Sequence, residues 1–428
     1  MSNQIPETEP AVTTPPPETT ATVQQAEPII RGLENYPEAV QEIAHDNRIL
    51  DRFSRHIEHN GWVVGEQDVV RLCYLAMTSR VLERPVSLAV KGPSSGGKSH
   101  VTGQVLRFFP DSAYYALTAM SEKALIYSEE DLRHRFLVLY EAESLKGDMA
   151  SYLIRSLLSE GRIRYETVIS SNTGLSPQMI EREGPTGLLI TTTATSLHSE
   201  NETRFLSVTV QDTPEQTMAI LCSMAADESS DIDLSDWTGF QEWINEAEHR
   251  VIIPFAKQIA ALSNPVATRL RRDFKLLLNL IKTHAILHQF NRKRDKAGQI
   301  IAELDDYAVV HELVSDAISE GIGATVSETV RETVYAVAEA IKLVPVSGAG
   351  VSLKPVEDIL GLDKSVISRR VKQALKAGYL VNDEYHHGKP MQLRLGDPMP
   401  EEVKVLPHPD ELKTQGTKQS RDPAACWM

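Results

Sequence analysis

Gly92, Pro93, Ser94, Ser95, Gly96, Gly97, Lys98 and Ser99 follow the spacing G-x-x-x-x-G-K-[ST] without a mismatch. The glycines let backbone N–H groups come close to phosphate oxygens, with no Cβ in the way. Lys98 is the cation that reaches β- and γ-phosphates, and the Ser99 hydroxyl is suited to Mg²⁺. His100 is grouped with them at the loop-to-helix junction. Splitting a phosphoanhydride also needs a carboxylate at the end of a neighbouring strand. The stretch FLVLYEAE provides one: an apolar strand that runs into Glu141 and Glu143. Tyr140 takes the slot where an Asp is expected, so Glu141 serves both metal and water, or Glu143, on the same face, shares the work.

Further polar residues sit where apolar runs stop. Thr192 or Thr193, at the end of GLLITTT, is suited to orienting an attacking water. Arg204, after Glu200–Thr203, would stabilise phosphoryl charge in a neighbouring subunit. Its plain alternative is a surface ion pair with Glu200 or Glu202. Arg269, Arg271 and Arg272 are additional candidates for sensing nucleotide.

These residues need a scaffold that brings strand ends together. The run VSLAV ahead of the glycines predicts a buried strand, and Val101, Val105, Leu106 and Phe109 predict a helix after them. Phosphate would then meet a helix N-terminus. Strands are expected at 113–117, 136–139, 187–191 and 205–210, alternating with helical stretches. The fold class is therefore α/β with a parallel sheet. A helix at 149–158 leads into alternating residues 162–168, turn residues 171–174 and a return at 178–181, an inserted β-hairpin. Residues 36–82 read as helices with a break at Asn60-Gly61. Residues 215–324 read as wholly helical, including one helix over 243–260, and form a lid. His284 and His288 lie one helical turn apart there, but the sequence offers no third ligand and no intervening Glu, so a structural role is favoured.

The last unit reads helix, helix, tight turn at Gly361-Leu362-Asp363, helix, then two strands, the order of a winged helix-turn-helix. Its third helix carries Lys364, Ser365, Ser368, Arg369, Arg370 and Lys372, and the wing adds His386, His387 and Lys389. These types reach phosphates and base edges. The formal net charge is −15, yet between 331 and 394 there are ten Lys or Arg against seven Asp or Glu. A basic island on an acidic chain points to local rather than global contact with DNA.

At 428 residues with 41% hydrophobic content, the chain holds several domains. The expected division is 1–30 disordered and rich in Pro, Thr and Glu, 31–84 a helical module, and 85–213 the core with its hairpin. The lid spans 214–328, the winged unit 329–396, and a loose polar tail 397–428. Cys73, Cys222 and Cys426 lack metal-ligand spacing, so neither zinc nor disulfide is expected. No apolar run approaches the ~20 residues of a membrane span, and no basic-then-apolar leader opens the chain, so a cytoplasmic protein is expected.

Together the motifs resemble the AAA+ ATPases, and the inserted hairpin narrows this to the branch with superfamily-3 and minichromosome-maintenance helicases. KGPSSGGKS, SEEDLRHRFLVLYEAES, YLIRSLLSEGRIRYETV, EGPTGLLITTT and ENETRFLSVTVQDTPEQT are similar to the helicase-like ATPase of bacterial mobile-element replication proteins. LRRDFKLLLNLIKTHAILHQFNR and the winged unit resemble later segments of that family, over residues 60–412 in all. The resemblance implies an ATP- and Mg²⁺-dependent DNA motor of phage or plasmid type, assembled as a homo-oligomeric ring such as a hexamer. Arg162 and Arg164 of the hairpin would touch DNA in the pore, and a primase is an implied partner. No primase-type cysteine cluster or acidic motif precedes the ATPase in this chain. Two other functions suit the same features: a nucleotide-switched DNA-binding regulator, and an ATPase that loads or remodels a protein.

Overall fold

The computed structural model describes residues 32–141, 147–171, 174–193, 202–226, 232–265, 267–321, 328–343, 350–384, 386, 389–399 and 404–415. Glu143, Glu200, His387 and the N-terminal tail lie outside them.

Three helices come first: α1 (Glu38–His45), α2 (Ile49–His59) and α3 (Gln67–Thr78). Val40, Ile43, Leu50, Phe53 and Ile57, the stripe expected from periodicity, are all buried. These helices share one core with the lid and one face of the sheet. The cause is α3, which buries Val69, Val70, Leu72, Cys73, Tyr74, Leu75, Ala76 and Met77 in succession. A helix that is apolar all round must be covered on more than one side. Buried Arg80, just past α3, donates to Oε1 and to the carbonyl of Gln241 in the lid, at 2.8 and 2.7 Å.

The sheet strands are β1 (Leu88–Lys91), β2 (Tyr114–Leu117) and β3 (Arg135–Leu139), followed after a hairpin of β4 (Arg162–Ser171) and β5 (Gly174–Glu183) by β6 (Thr186–Thr192) and β7 (Leu206–Thr209). The parallel sheet runs β2-β3-β6-β1-β7, with Leu88 opposite Leu189 and Leu206. Each of the four later strands ends within one residue of its expected bounds. Alternation along the strands feeds two cores. Leu88, Val90, Phe136, Val138 and Leu189 face the helices of the N-terminus and lid, whereas Leu137, Leu139, Leu188 and Ile190 face the other side. The helix α4 (Lys98–Leu106) packs in the first of these cores, and α5 (Ala124–Tyr127) and α6 (Asp148–Glu160) pack in the second.

The hairpin pairs Arg162 with Glu183 at its base and Ser171 with Gly174 at its end, so the return strand starts four residues earlier than expected. Pro177 fits there because a two-stranded ribbon leaves each strand an unpaired edge.

The lid contains α7 (Pro214–Ala226), α8 (Ser235–Glu246), α9 (Ala256–Leu262), α10 (Leu270–Leu287) and α11 (Leu304–Gly321). It is not wholly helical. The helix expected over 243–260 is interrupted by β8 (Val251–Ile252), which pairs in parallel with β9 (Ile300–Ile301). Three β-branched residues ahead of Pro254 disfavour helix at this point.

A smaller core lies in the C-terminal unit, between α12 (Glu328–Lys342), α13 (Leu353–Leu360), α14 (Lys364–Lys376) and the antiparallel pair β10 (Leu380–Asn382) and β11 (Leu393–Leu395). Gly361, at φ 64°, makes the turn between α13 and α14. The tail expected to be loose instead returns to the lid across 404–415. Val405, Leu406 and Leu412 are buried, α15 (Pro409–Gln415) packs on α11, and the Tyr307 hydroxyl donates to the Pro407 carbonyl at 2.6 Å. Three apolar residues among many polar ones were enough to dock it.

Candidate nucleotide site

β1 delivers Gly92 to the rim of the sheet, where its N–H donates to the Thr192 carbonyl at 3.2 Å. A Cβ on Gly92 would come 2.3 Å from Val210 Cγ2, so this position accepts only glycine without a shift. Ser95 and Gly97 have left-handed φ of 63° and 79°, turning successive N–H groups toward one centre. Gly97 opens α4, and no side chain caps that helix end among the described residues. The first N–H groups of α4 are therefore donors for an anion. Nothing lies within 4 Å of a Cβ built on Gly97, so the cradle has room for phosphate. The residues fit a nucleoside triphosphate. Ser99 is exposed at the mouth, where it would hold Mg²⁺ with Glu141.

Lys98 is 8% exposed, and its Nζ donates to the Pro93 carbonyl at 2.5 Å, reaching across the loop. Burial holds its ammonium below the ordinary lysine range; Glu141 opposes that shift and Arg369 adds to it. Glu141 has a φ of 75°, and its N–H donates to Thr191 Oγ1 at 3.1 Å. β6 lies between β1 and β3, so its end bridges phosphate loop and carboxylate: Thr192 holds Gly92 while Thr191 holds Glu141. Thr191 belongs to the polar run Thr191-Thr192-Thr193 that the sequence shows at this strand end, but only Thr192 and Thr193 were expected to act. Thr193 is exposed beside them.

Other expected residues fall elsewhere. His100 turns its ring to the Trp62 carbonyl at 2.5 Å, so its side chain ties α4 to the N-terminal helices rather than to the loop. Arg204 Nε donates to Ser159 Oγ on α6 at 2.8 Å, while Glu202 pairs with Lys91 at 2.5 Å. Arg269 and Arg272 bind the lead-in to β7: Arg272 Nη1 donates to Thr203 Oγ1 at 2.6 Å, and Arg269 Nη2 to the Phe205 carbonyl at 3.5 Å, while Arg269 also pairs with Asp273 of α10 at 3.2 Å. Arg271 is exposed. Arg162 and Arg164 share Glu181, at 3.7 and 2.7 Å, which lowers that carboxyl below its usual range through the Arg164 hydrogen bond first. Both sit near the hairpin base, seven or more residues from its turn, or roughly 25 Å at ~3.3 Å per residue.

The largest departure concerns α14. Arg370, expected on DNA, is 4% exposed and pairs with Asp212 at 2.9 Å and Glu332 at 3.1 Å. Arg369 pairs with the same Asp212, just beyond β7. Burial and these carboxylates turn the two arginines toward the core. Lys364, Lys372 and Lys389 remain exposed, and Ser368 is half-buried.

His284 and His288 gain the third partner that spacing alone did not provide. Asp306 lies with them, all three buried, with potential ligand atoms within 4.8 Å of one another. Hydrogen bonds already engage each of these side chains, however. His284 Nδ1 donates to Asp306 at 2.7 Å, Arg292 grips Asp306 at 2.7 Å, His288 Nδ1 donates to the His284 carbonyl at 2.9 Å, and Ile49 N–H donates to His288 Nε2 at 3.2 Å. A neutral His288 with both nitrogens engaged joins α2 to α10.

A family model described as MTBMA_p00010 P-loop domain matches residues 38–236, from α1 into α8. The five-stranded parallel sheet and its glycine loop are consistent with a P-loop core. The matched stretch takes in the N-terminal helices as well as the sheet, as their shared core requires. Among solved structures the chain is similar to a full-length MCM homologue from Methanopyrus kandleri, at 15% identity and a TM-score of 0.46, over 67% of this chain. It spans 62% of that protein's length, less than two thirds. No curated protein sequence matches. Among the described residues, no helix is long and apolar enough to cross a membrane.

Proposed function

We propose that the chain is an ATP-hydrolysing AAA+ DNA motor, a helicase or replication-initiation ATPase of phage or plasmid type. The observation that carries the hydrolytic part is Glu141, at the end of the strand next to β6, held in a left-handed conformation by Thr191 and near enough to Lys98 to favour its ammonium form. A strand inserted between the phosphate-loop strand and the carboxylate strand suits the AAA+ resemblance.

In this reading the N–H groups of the loop and of α4 hold the phosphates, and Lys98 leaves Pro93 for the β- and γ-phosphates. Mg²⁺ supplies charge neutralisation when it is bound by Ser99 and Glu141. Glu141 takes the proton of the attacking water, which Thr192 or Thr193 orients. Arg204 belongs to the outer edge of the core, near α6, and acts on a neighbouring subunit of a homo-oligomeric ring. The C-terminal unit is a winged helix whose exposed Lys364, Lys372 and Lys389 meet duplex DNA, and a primase is the partner that the resemblance suggests.

A second reading, a nucleotide-switched DNA-binding regulator, draws support from the Asp212 contact between core and C-terminal unit. ATP turnover measured alone, with single-stranded DNA and with duplex, followed by strand displacement, separates the two. The motor is expected to displace strands. DNA-stimulated turnover without displacement favours the regulator, and no turnover overturns the hydrolytic reading.

A further inference from the structure

Asp212 stands on a firmly held segment. Two residues earlier, Val210 N–H donates to the Lys91 carbonyl at 2.9 Å, and its side chain is the one that blocks a Cβ on Gly92. In between, Gln211 N–H donates to Glu66 at 2.7 Å, and the same carboxylate accepts from Gln216 at 2.7 Å. The carboxylate of Asp212 is thus fixed beside the start of the phosphate loop, and both arginines of α14 converge on it. Arg369 is near enough to Lys98 to add to the lowering of its basicity that burial begins.

We propose that Arg369 is a nucleotide-phosphate ligand supplied by the C-terminal unit of the same chain, held on Asp212 until nucleotide arrives. The proposal rests on the P-loop site described above. The two arginines divide the work by their surroundings. Arg370 is buried and has a second acid, Glu332, from its own unit. Arg369 keeps a side-chain exposure of 28%, so it has room to swing. Its departure would leave no carboxylate abandoned, because Asp212 retains Arg370. Breaking a buried pair is expensive chiefly when one charge is left alone, and here none is. A triphosphate, carrying several negative charges, would also relieve the repulsion between Arg369 and Lys98. Guanidinium is the group best matched to phosphate oxygens, being planar and permanently charged.

The test measures ATP affinity with Mg²⁺ by titration calorimetry on the full chain. Arg369→Ala is expected to weaken ATP binding by about 10- to 100-fold, the scale of a hydrogen bond to a charged group. Asp212→Asn, which removes the competitor, is expected to tighten it several-fold. Opposite directions are the signature. If the pair were only a structural tie, both variants would loosen the C-terminal unit and shift ATP affinity the same way, which would overturn the proposal. Unchanged ATP affinity in Arg369→Ala, with weakened duplex-DNA binding, would overturn it in favour of a DNA-facing role. Thermal melting checks folding. Should Arg369→Ala not fold, Arg369→Lys keeps the charge but loses the fork, and ATP affinity equal to the wild type would count against the assignment. Lys98→Ala marks the underlying site: failure of the wild type to bind ATP sinks the P-loop reading itself, whereas loss in Lys98→Ala alone sinks only the role of Arg369.

Discussion

Glu141 occupies a backbone conformation that costs an ordinary residue about 1–3 kcal/mol, and the Thr191 hydroxyl holds it there. In the proposed function its carboxylate serves the cradle, which divides the labour between two residues in a measurable way. Lys98→Ala should remove ATP binding and turnover together. Glu141→Gln should stop turnover while binding persists, as filter binding and phosphate release will establish separately. Normal hydrolysis by Glu141→Gln would transfer the role to Glu143. Arg204 permits a sharper test. As a local tie to Ser159 it is worth at most about 1 kcal/mol, so Arg204→Ala would melt slightly earlier and turn over normally. As a finger acting on a neighbour, its loss should slow turnover by about three orders of magnitude with ATP still bound. Mixing inactive Arg204→Ala with inactive Lys98→Ala should then recover part of the activity, because some interfaces join a sound loop to a sound arginine. No recovery after confirmed mixing would argue against a shared site.

At the scale of elements, α14 offers two faces with different fates. Arg369 and Arg370 turn toward Asp212, so Lys364 and Lys372 are the exposed cations of this helix on which the proposed DNA contact is tested. The pair Lys364→Ala and Lys372→Ala should flatten the slope of log affinity against log salt by about 0.9 for each phosphate that is no longer neutralised. An unaltered slope on duplex DNA would mean that this face docks on protein. A cruder deletion of everything after 328 would mislead, since it also strips Val405, Leu406 and Leu412 from the lid. The same helix illustrates what a sequence can and cannot disclose. The strands β1, β2, β3, β6 and β7 and the phosphate loop were legible because short-range pattern dictates them: apolar runs, glycines, and a lysine at fixed spacing. Which charge meets which was not. Arg370 and Asp212 are 158 residues apart, and basic residues on a helix look alike until the fold chooses their neighbours. Asp306 was hidden from His284 in the same way, and the shared core of α3 and the lid could not be seen from a stripe that was apolar on every side.

The whole molecule should be sensitive to acid, for reasons rooted in its buried junctions. Burial, reinforced by neighbouring His284, pushes His288 well below the usual histidine range, so the folded chain resists protonation where the unfolded chain accepts it. Stability is then full above about pH 6.5 and falls as the pH drops through that value, at ~1.4 kcal/mol per pH unit for each such group. His56, His249 and His311 shift in the same direction through burial and steepen the fall. Asp306 moves the other way: although burial opposes it, His284 and Arg292 hold its carboxyl far below the usual range, adding a further loss below about pH 4. Melting temperatures of the wild type and His288→Gln between pH 7.5 and 5 test this; the wild type should decline more steeply, and parallel curves would remove His288 from the account. Another consequence follows from the return of 404–415 to the lid. The chain leaves the C-terminal end of α11 to build the C-terminal unit, then comes back to the same helix through Pro407 and α15. That unit therefore hangs from two pins on one post, as a gate does, and a gate has one axis. With Arg370 still latched to Asp212, the motion left to it under the proposed nucleotide response is a small turn about that axis, so torque on α11, rather than a trailing tether, would carry news of the phosphate loop to whatever the unit holds.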